Sequence, residues 1–239
     1  MNQTLLLKVD GLRCYRGPVE ALRGISFDVK SAEVTCLVGP NGAGKTSTLL
    51  CIMGLVKAHE GSIMFEGQEI KGLLPNKVFN TGIAFVPEDR RVFPDLTVKE
   101  NLELGQSRER SENCRIGFDE IIDIFPPLGK LMKRKGVFLS GGEQKMVSIA
   151  RSMMSSPKLI LLDEPLEGLA PSVVGRFTDA LQRIKEMGIT VVQVESNLRL
   201  AERVADYYYA LERGEVFFKG TPEELDKDKQ AMDKLVKIH

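Results

Sequence analysis

The stretch Gly39-Pro40-Asn41-Gly42-Ala43-Gly44-Lys45-Thr46 decides the fold. It fits G-x-x-x-x-G-K-[ST] at every fixed position and stands in the context that pattern requires. Before it, Glu33 to Val38 reads as an apolar strand running straight into the glycines. After it, Thr46 to Leu55 reads as a helix, with Leu49, Leu50 and Met53 at helical spacing. The glycines let the main chain wrap closely around phosphate with its N–H groups turned inward. The start of the helix adds the positive end of its dipole. Lys45 then reaches the β- and γ-phosphates of a nucleoside triphosphate, and the Thr46 hydroxyl is placed to bind Mg²⁺.

The other half of such a site comes later in the chain. Leu159-Ile160-Leu161-Leu162 is a continuous apolar run, suited to a fully buried parallel strand, and it ends on Asp163-Glu164-Pro165. Asp163 is read as the second Mg²⁺ residue, acting through water opposite Thr46. Glu164 is read as the general base that poises the attacking water. Two acids after an apolar run say little by themselves; behind a phosphate loop they point to hydrolysis.

A further motif precedes that strand. Leu139-Ser140-Gly141-Gly142-Glu143-Gln144 heads a helix read over Glu143 to Met154. A serine and two glycines at a helix start present a hydroxyl, bare N–H groups and the helix dipole, which makes a second anion site. One chain does not need two sites for one γ-phosphate. If each subunit lends this loop to the other's ATP, two composite sites form at a dimer interface. Alone, Ser-Gly-Gly is also a plain helix N-cap; its place just ahead of the Asp-Glu strand favours the anion reading.

The rest of the chain reads as α/β. Leu5, Leu7 and Val9 alternate, as do Ile25, Phe27 and Val29, so residues 4 to 35 read as short strands. Ser62 to Phe65, Ile83 to Val86, Ile189 to Val194 and Val216 to Lys219 read as further strands, and Pro171 to Met187 as a helix closed by Gly188. Lys99 to about Ser156 reads as helical, broken at Pro126-Pro127, a lobe inserted into the core. Pro222 to His239 reads as a solvated charged helix. Strand–helix alternation with continuous apolar strands places the chain in the α/β class.

The 239 residues suit one domain, or a core with a lobe, and are enough for a sizeable core. Lys and Arg total 33 against 33 Asp and Glu, so the balance gives no footprint for nucleic acid. Cys14, Cys36, Cys51 and Cys114 are irregularly spaced, and with two histidines a zinc site is not expected. Cys36 and Cys51 read as buried free thiols, which suits a reducing compartment. No window approaches the ~18 to 20 apolar residues of a membrane span, so a cytoplasmic chain tied to a membrane only through a partner is expected.

Taken together, the Lys45 loop, the Ser140 loop and the Asp163-Glu164 pair resemble an ABC transporter ATPase subunit over essentially the whole chain. Val86-Pro87-Glu88-Asp89-Arg90-Arg91-Val92-Phe93-Pro94, Glu167-Gly168-Leu169-Ala170-Pro171 and Val194-Glu195-Ser196-Asn197 narrow the resemblance. They look like the second ATPase of branched-chain amino-acid importers and of their urea and amide relatives. The resemblance implies a P-loop, RecA-like core with an antiparallel β subdomain, over 1–98 and 157–239, and an inserted helical subdomain over 99–156. It implies ATP and Mg²⁺ as cofactors. It implies a second ABC ATPase subunit as partner, two membrane permease subunits docked through coupling helices, and an extracytoplasmic solute receptor acting indirectly. The chain would then lie peripherally on the inner face of the cell membrane.

The resemblance also implies roles for single residues. Tyr15 matches the aromatic that stacks on adenine. Glu88 stands where most members carry a glutamine that senses Mg²⁺ and the attacking water. Glu88 to Leu96 would receive the coupling helix, with Arg90, Arg91 and Phe93 as anchors. Ser196 stands where the family usually has a histidine that contacts the γ-phosphate. Serine cannot carry charge and reaches less far than imidazole. Losing a preorganised donor to developing charge typically costs on the order of 10²- to 10³-fold in rate. Glu88 for glutamine adds an acceptor-only carboxylate, and Glu167 and Ala170 depart from the usual Ser-x-Leu-Asp. The Ser140 loop is intact. These departures favour a heterodimer in which this chain completes its partner's site while its own site hydrolyses slowly, with a competent homodimer as the alternative. An exporter or lipid-extraction ATPase, a non-transport ATPase and a metabolic P-loop kinase are the alternatives. The solute itself is not written in an ATPase chain.

Overall fold

The alternating run at the N-terminus folds as a long hairpin. The computed structural model describes residues 4–89, 91–106 and 116–236. Strands β1 (Leu5–Arg16) and β2 (Val19–Lys30) pair antiparallel, and both are far longer than the short strands expected. Strand β3 (Val34–Val38) leaves this hairpin for a second sheet, while β4 (Ala58–Phe65) and β5 (Gln68–Glu69) complete the first in the order β2-β1-β4-β5. Its inner face carries Leu7, Leu12, Ile25 and Phe27, all buried; period 2 aligns Ile25 with Phe27, and a register shift between Val9 and Leu12 brings Leu12 to the face of Leu7.

The second sheet has six strands, and β3 lies inside it. With β6 (Ile83–Val86), β7 (Leu159–Asp163), β8 (Thr190–Glu195), β9 (Tyr207–Glu212) and β10 (Glu215–Gly220), the order is β10-β9-β3-β8-β7-β6. Only β10 runs antiparallel to its neighbour. Every residue of β3 and β7 is buried, because both faces of the sheet are covered. Leu37, Leu161 and Val194 face a core shared with the first sheet. Ile160, Leu162 and Val191 face a core built with helices.

Helix α1 (Lys45–Ile52) wedges between the two sheets through Leu49 and Ile52. It ends earlier than expected because Gly54 turns the chain with a φ of 69°. Helix α2 (Pro75–Thr81), absent from the sequence reading, leads into β6. The expected helical stretch is a set of short helices: α3 (Val98–Glu103), α4 (Phe118–Ile124), α5 (Pro126–Leu131), a 3₁₀ turn at Gly136–Phe138 and α6 (Gly141–Met153). Pro126 opens α5, as the expected break requires. Helix α6 starts two residues earlier than read, since Gly141 and Gly142 already carry its first turn. Together with α7 (Pro171–Glu186), α3 to α6 bury Leu102, Ile121, Val147 and Phe177 against the sheet.

The C-terminal segment departs from the expected solvated helix. After the short α8 (Leu198–Ala201) and β9, it forms α9 (Pro222–Lys227) and α10 (Lys229–Val236). Leu225, Ala231 and Leu235 are buried against Tyr208 and Ala210 of β9. One apolar residue every few positions sufficed to dock a segment whose composition is mostly charged. Cys14, Cys36 and Cys51 are buried free thiols; Cys114 lies outside the described residues.

Candidate functional site

The phosphate loop runs from the end of β3 to the start of α1, and close packing explains its glycines. A Cβ on Gly39 would stand 2.2 Å from the carbonyl oxygen of Leu211, and one on Gly44 would stand 2.8 Å from that of Ala21. Gly44 has φ 106° and caps α1 with no side-chain acceptor, so the first N–H groups of the helix remain available to an anion.

Lys45 is 4% exposed. Its Nζ donates to the carbonyls of Gly39 at 2.8 Å and Pro40 at 3.1 Å, and stands 3.6 Å from Glu164 Oε1. The buried ammonium is thus held at the centre of the loop, where phosphate oxygens would replace those acceptors. Thr46 Oγ1 donates to Asp163 Oδ1 at 2.9 Å, bringing α1 and the end of β7 together as expected. A hydroxyl and a carboxylate converging this closely are the hard oxygen donors that suit Mg²⁺. Burial pushes the Asp163 carboxyl up, against the opposing pull of the Thr46 bond.

Glu164 sits just past β7 with φ 44°, a left-handed conformation that non-glycine residues rarely keep without a reason. Its N–H donates to Val194 of β8 at 3.1 Å, which fixes the turn. Its Oε1 accepts a bond from Ser196 Oγ at 2.8 Å. Burial pushes the Glu164 carboxyl up, but hydrogen bonds from Glu167, Ser196 and Lys45 outweigh it and hold the group below the usual carboxylate range. The opposite shift falls on Glu167, pushed up to about 7 by its bond to Glu164 and by burial. The two shifts have one cause, the bond between the carboxyls, which favours charge on Glu164 over charge on Glu167. Glu195, 1% exposed, is pushed up to about 8 by burial, and it accepts bonds from Gln193 Nε2 at 2.9 Å and Leu166 N–H at 3.3 Å.

Lys45, Thr46, Glu164 and Glu167 line a cavity of about 600 Å³. Gly42 and Glu88 share that lining, and so do Arg16, Val19 and Ala21 of the hairpin with Arg213. Tyr15 is not among the lining residues. Its half-exposed ring meets His59 edge-on, with centroids 5.4 Å apart, while the adjacent Arg16 faces the cavity.

Ser140 to Gln144 are absent from that lining. Ser140 caps α6 reciprocally with Glu143: Glu143 N–H donates to Ser140 Oγ at 3.3 Å, and Ser140 N–H to Glu143 Oε2 at 2.7 Å. Gln144 Nε2 donates to Gly136 O at 3.4 Å. The loop is a well-formed helix start whose Ser140 is exposed.

Of the three expected interface residues, Arg90 lies outside the described residues. Arg91 pairs with Asp89 at 2.8 Å, and its carbonyl accepts from Arg151 Nη2 at 2.8 Å. Phe93 is 51% exposed, with the Arg151 guanidinium 5.3 Å from its ring centre. Asn101, fully buried on α3, holds this segment: its Oδ1 accepts from Phe93 N–H at 2.9 Å and its Nδ2 donates to Phe93 O at 3.1 Å. Sequence reading missed Asn101, the Glu164–Glu167 bond and Lys145, a buried lysine on α6. Only Lys145 left a signal, a charge between the apolar positions of a helix.

The comparisons agree with this geometry. The ABC transporter family model matches residues 22–167. The high-affinity branched-chain amino acid transport ATP-binding protein BraG of Pseudomonas aeruginosa is 39% identical over 216 residues, covering 90% of this chain and 93% of that protein. The lipopolysaccharide export system ATP-binding protein LptB of Haemophilus influenzae is 34% identical over 214 residues, covering 87% of each. An ATP-binding cassette of an ABC transporter, solved in its ADP conformation, superposes with a TM-score of 0.85 at 30% identity over 98% of both chains. The fold is therefore that of the P-loop ABC ATPases, in which an antiparallel sheet lies over a mostly parallel one. By motif, site geometry, sequence and fold alike, the chain belongs to the ABC transporter family as an ATP-binding, ATP-hydrolysing subunit.

Proposed function

We propose that this subunit energises import of a small polar solute, a branched-chain amino acid or a related compound, through a separate membrane permease. The observation that carries the reading is the Lys45, Thr46–Asp163 and Glu164 constellation, in a chain similar to BraG over nine tenths of its length. Proteins of this family dimerise and work with membrane permease components. The likeness to LptB supports export of a lipid as the second reading. Reconstitution with a permease in liposomes separates the two. Uptake of labelled leucine that requires ATP and is lost in Lys45→Ala supports import, whereas lipid extraction without uptake of any amino acid or amide overturns it.

In the proposed cycle the Lys45 loop cradles the phosphates of ATP and Lys45 exchanges its carbonyl acceptors for phosphate oxygens. When bound, Mg²⁺ supplies charge neutralisation between the phosphates, with Thr46 and Asp163 as its donors from this chain. Water attacks the γ-phosphorus, the bond to the β-phosphate oxygen breaks, and the water's proton passes to Glu164. Ser196 aims that carboxylate, and Glu88 stands at the cavity as an added acceptor. Tyr15 is assigned to adenine by the family resemblance alone, since its ring packs on His59 and only the adjacent Arg16 lines the cavity.

We further read the assembly as a heterodimer. The Ser140-Gly141-Gly142-Glu143-Gln144 loop completes the partner's site, while the serine at 196 leaves this chain's own site slow. Arg91 and Phe93, with Arg90, face the permease's coupling helices, beside an apolar groove that includes Phe79 and Leu104. Residues 99–156 act as the helical subdomain that carries the loop. Among the described residues no helix is long and apolar enough to cross a membrane, so attachment to the inner membrane face would run through the permease, with a solute receptor on the far side.

A further inference from the structure

Lys145 lies one and a half turns into α6 and is 2% exposed. A buried ammonium is costly unless it is bonded and faces opposite charge. Its Nζ donates to the backbone carbonyl of Glu88 at 3.1 Å, across 57 residues of sequence. Its charge also opposes the effect of burial on the Asp163 and Glu195 carboxyls. The lysine is thus anchored between the site and the segment that follows β6.

That segment stands where two openings meet. Glu88 lines the cavity around Lys45, and it also lines a neighbouring cleft of about 430 Å³ with Asp89, Arg91 and Gln144. Ser140 caps the same helix, five residues and roughly 7.5 Å before Lys145 at 1.5 Å per residue. A shift of the Glu88 backbone must therefore move α6 or break a charge-assisted bond.

We propose that Lys145 is a positioning residue, a strut that ties the Glu88 segment of this chain's ATP site to the helix whose start serves the partner's ATP. The pairing half of this rests on the dimer proposed above; the strut itself does not. Substituting Lys145 by methionine keeps the length and apolar bulk of the stem and removes the donor and charge. Arginine keeps both, and glutamine keeps a shorter donor without charge.

The test has two arms. Hydrogen exchange on the full chain alone reads the strut: Lys145→Met raises exchange of the peptide spanning 87–92 by about tenfold or more, the scale of one charged hydrogen bond, while 141–153 is unchanged. Phosphate release with a partner ATPase reads the consequence: kcat falls about tenfold with KM for ATP within about twofold, and Lys145→Arg recovers most of it. Unchanged exchange over 87–92 overturns the proposal, as does an equal rise along 141–153, which marks a plain loss of packing. An arginine variant as impaired as methionine also overturns it. Should Lys145→Met not fold, Lys145→Gln takes its place with the same criteria. If exchange responds as stated but turnover is indifferent to a second ATPase, the strut stands and the paired-site reading falls.

Discussion

Replacing Ser196 by alanine removes one hydroxyl and one bond, the 2.8 Å contact to Glu164 Oε1. A hydrogen bond to a charged group contributes about 1.5–3 kcal/mol. Glu164 keeps Glu167 and the Lys45 ammonium at 3.6 Å, so the lower end of that range applies. At roughly 1.36 kcal/mol per decade, about 1.5 kcal/mol is close to tenfold in rate. The loss falls on kcat, because the hydroxyl is bonded to the base and not to the loop that holds phosphate. The assay is phosphate release at saturating Mg²⁺-ATP, in a pair whose other catalytic carboxylate has been neutralised, so that only this chain's site is read. Ser196→Ala then lowers kcat about tenfold with an ATP KM close to the parent's. A change in kcat under about twofold, or a rise in KM with kcat preserved, refutes the reasoning. The second result would place the hydroxyl on the nucleotide and not on the base.

Two further outcomes follow from buried polar groups. Glu195 titrates near 8 in the folded protein, above its ordinary 4.5, so the stability it contributes is full below about 4.5 and is lost as pH rises through about 8. Glu195→Gln keeps an acceptor for Gln193 and Leu166 and removes that loss: its melting temperature declines less across that window than the parent's, the remaining decline coming from groups such as Glu167. At pH 7 the gain is at most about 3.5 kcal/mol, from roughly 1.4 kcal/mol per pH unit. Identical pH profiles for the two would contradict it. Asn101→Ala strips buried partners from both backbone groups of Phe93 and costs about 2–4 kcal/mol in urea unfolding. A cost under about 1 kcal/mol would mean that the segment around Phe93 is held by something else.

What the sequence revealed was what short-range chemistry dictates. Gly39 to Thr46 announce a loop because close main-chain approach and a helix start are local requirements. Leu159 to Leu162 announce a buried strand because both faces must be apolar. Strand β9 has no sequence signature although it lies beside β3, since Tyr207-Tyr208-Tyr209 does not alternate: Tyr208 and Tyr209 are buried in different cores and Tyr207 is half-buried. The tail was misjudged because three apolar residues among many charges were enough to dock it. The site's finer wiring was unreadable for another reason. Ser196 meets Glu164 across 32 residues, and Lys145 meets Glu88 across 57, by contacts that only the sheet order and the placement of α6 create. Glu167 was legible as a departure from the family pattern, yet its bond to Glu164 depends on the left-handed turn at Glu164.

The most direct test of the asymmetric reading is phosphate release by the assembled ATPase pair, compared between Glu164→Gln in this chain and the matching carboxylate-to-amide change in its partner. The account predicts that turnover largely survives the first change and collapses with the second, because this chain chiefly completes the partner's site through Ser140. Abolition of turnover by Glu164→Gln, with the partner's change tolerated, would contradict it and make this chain's own site the working one.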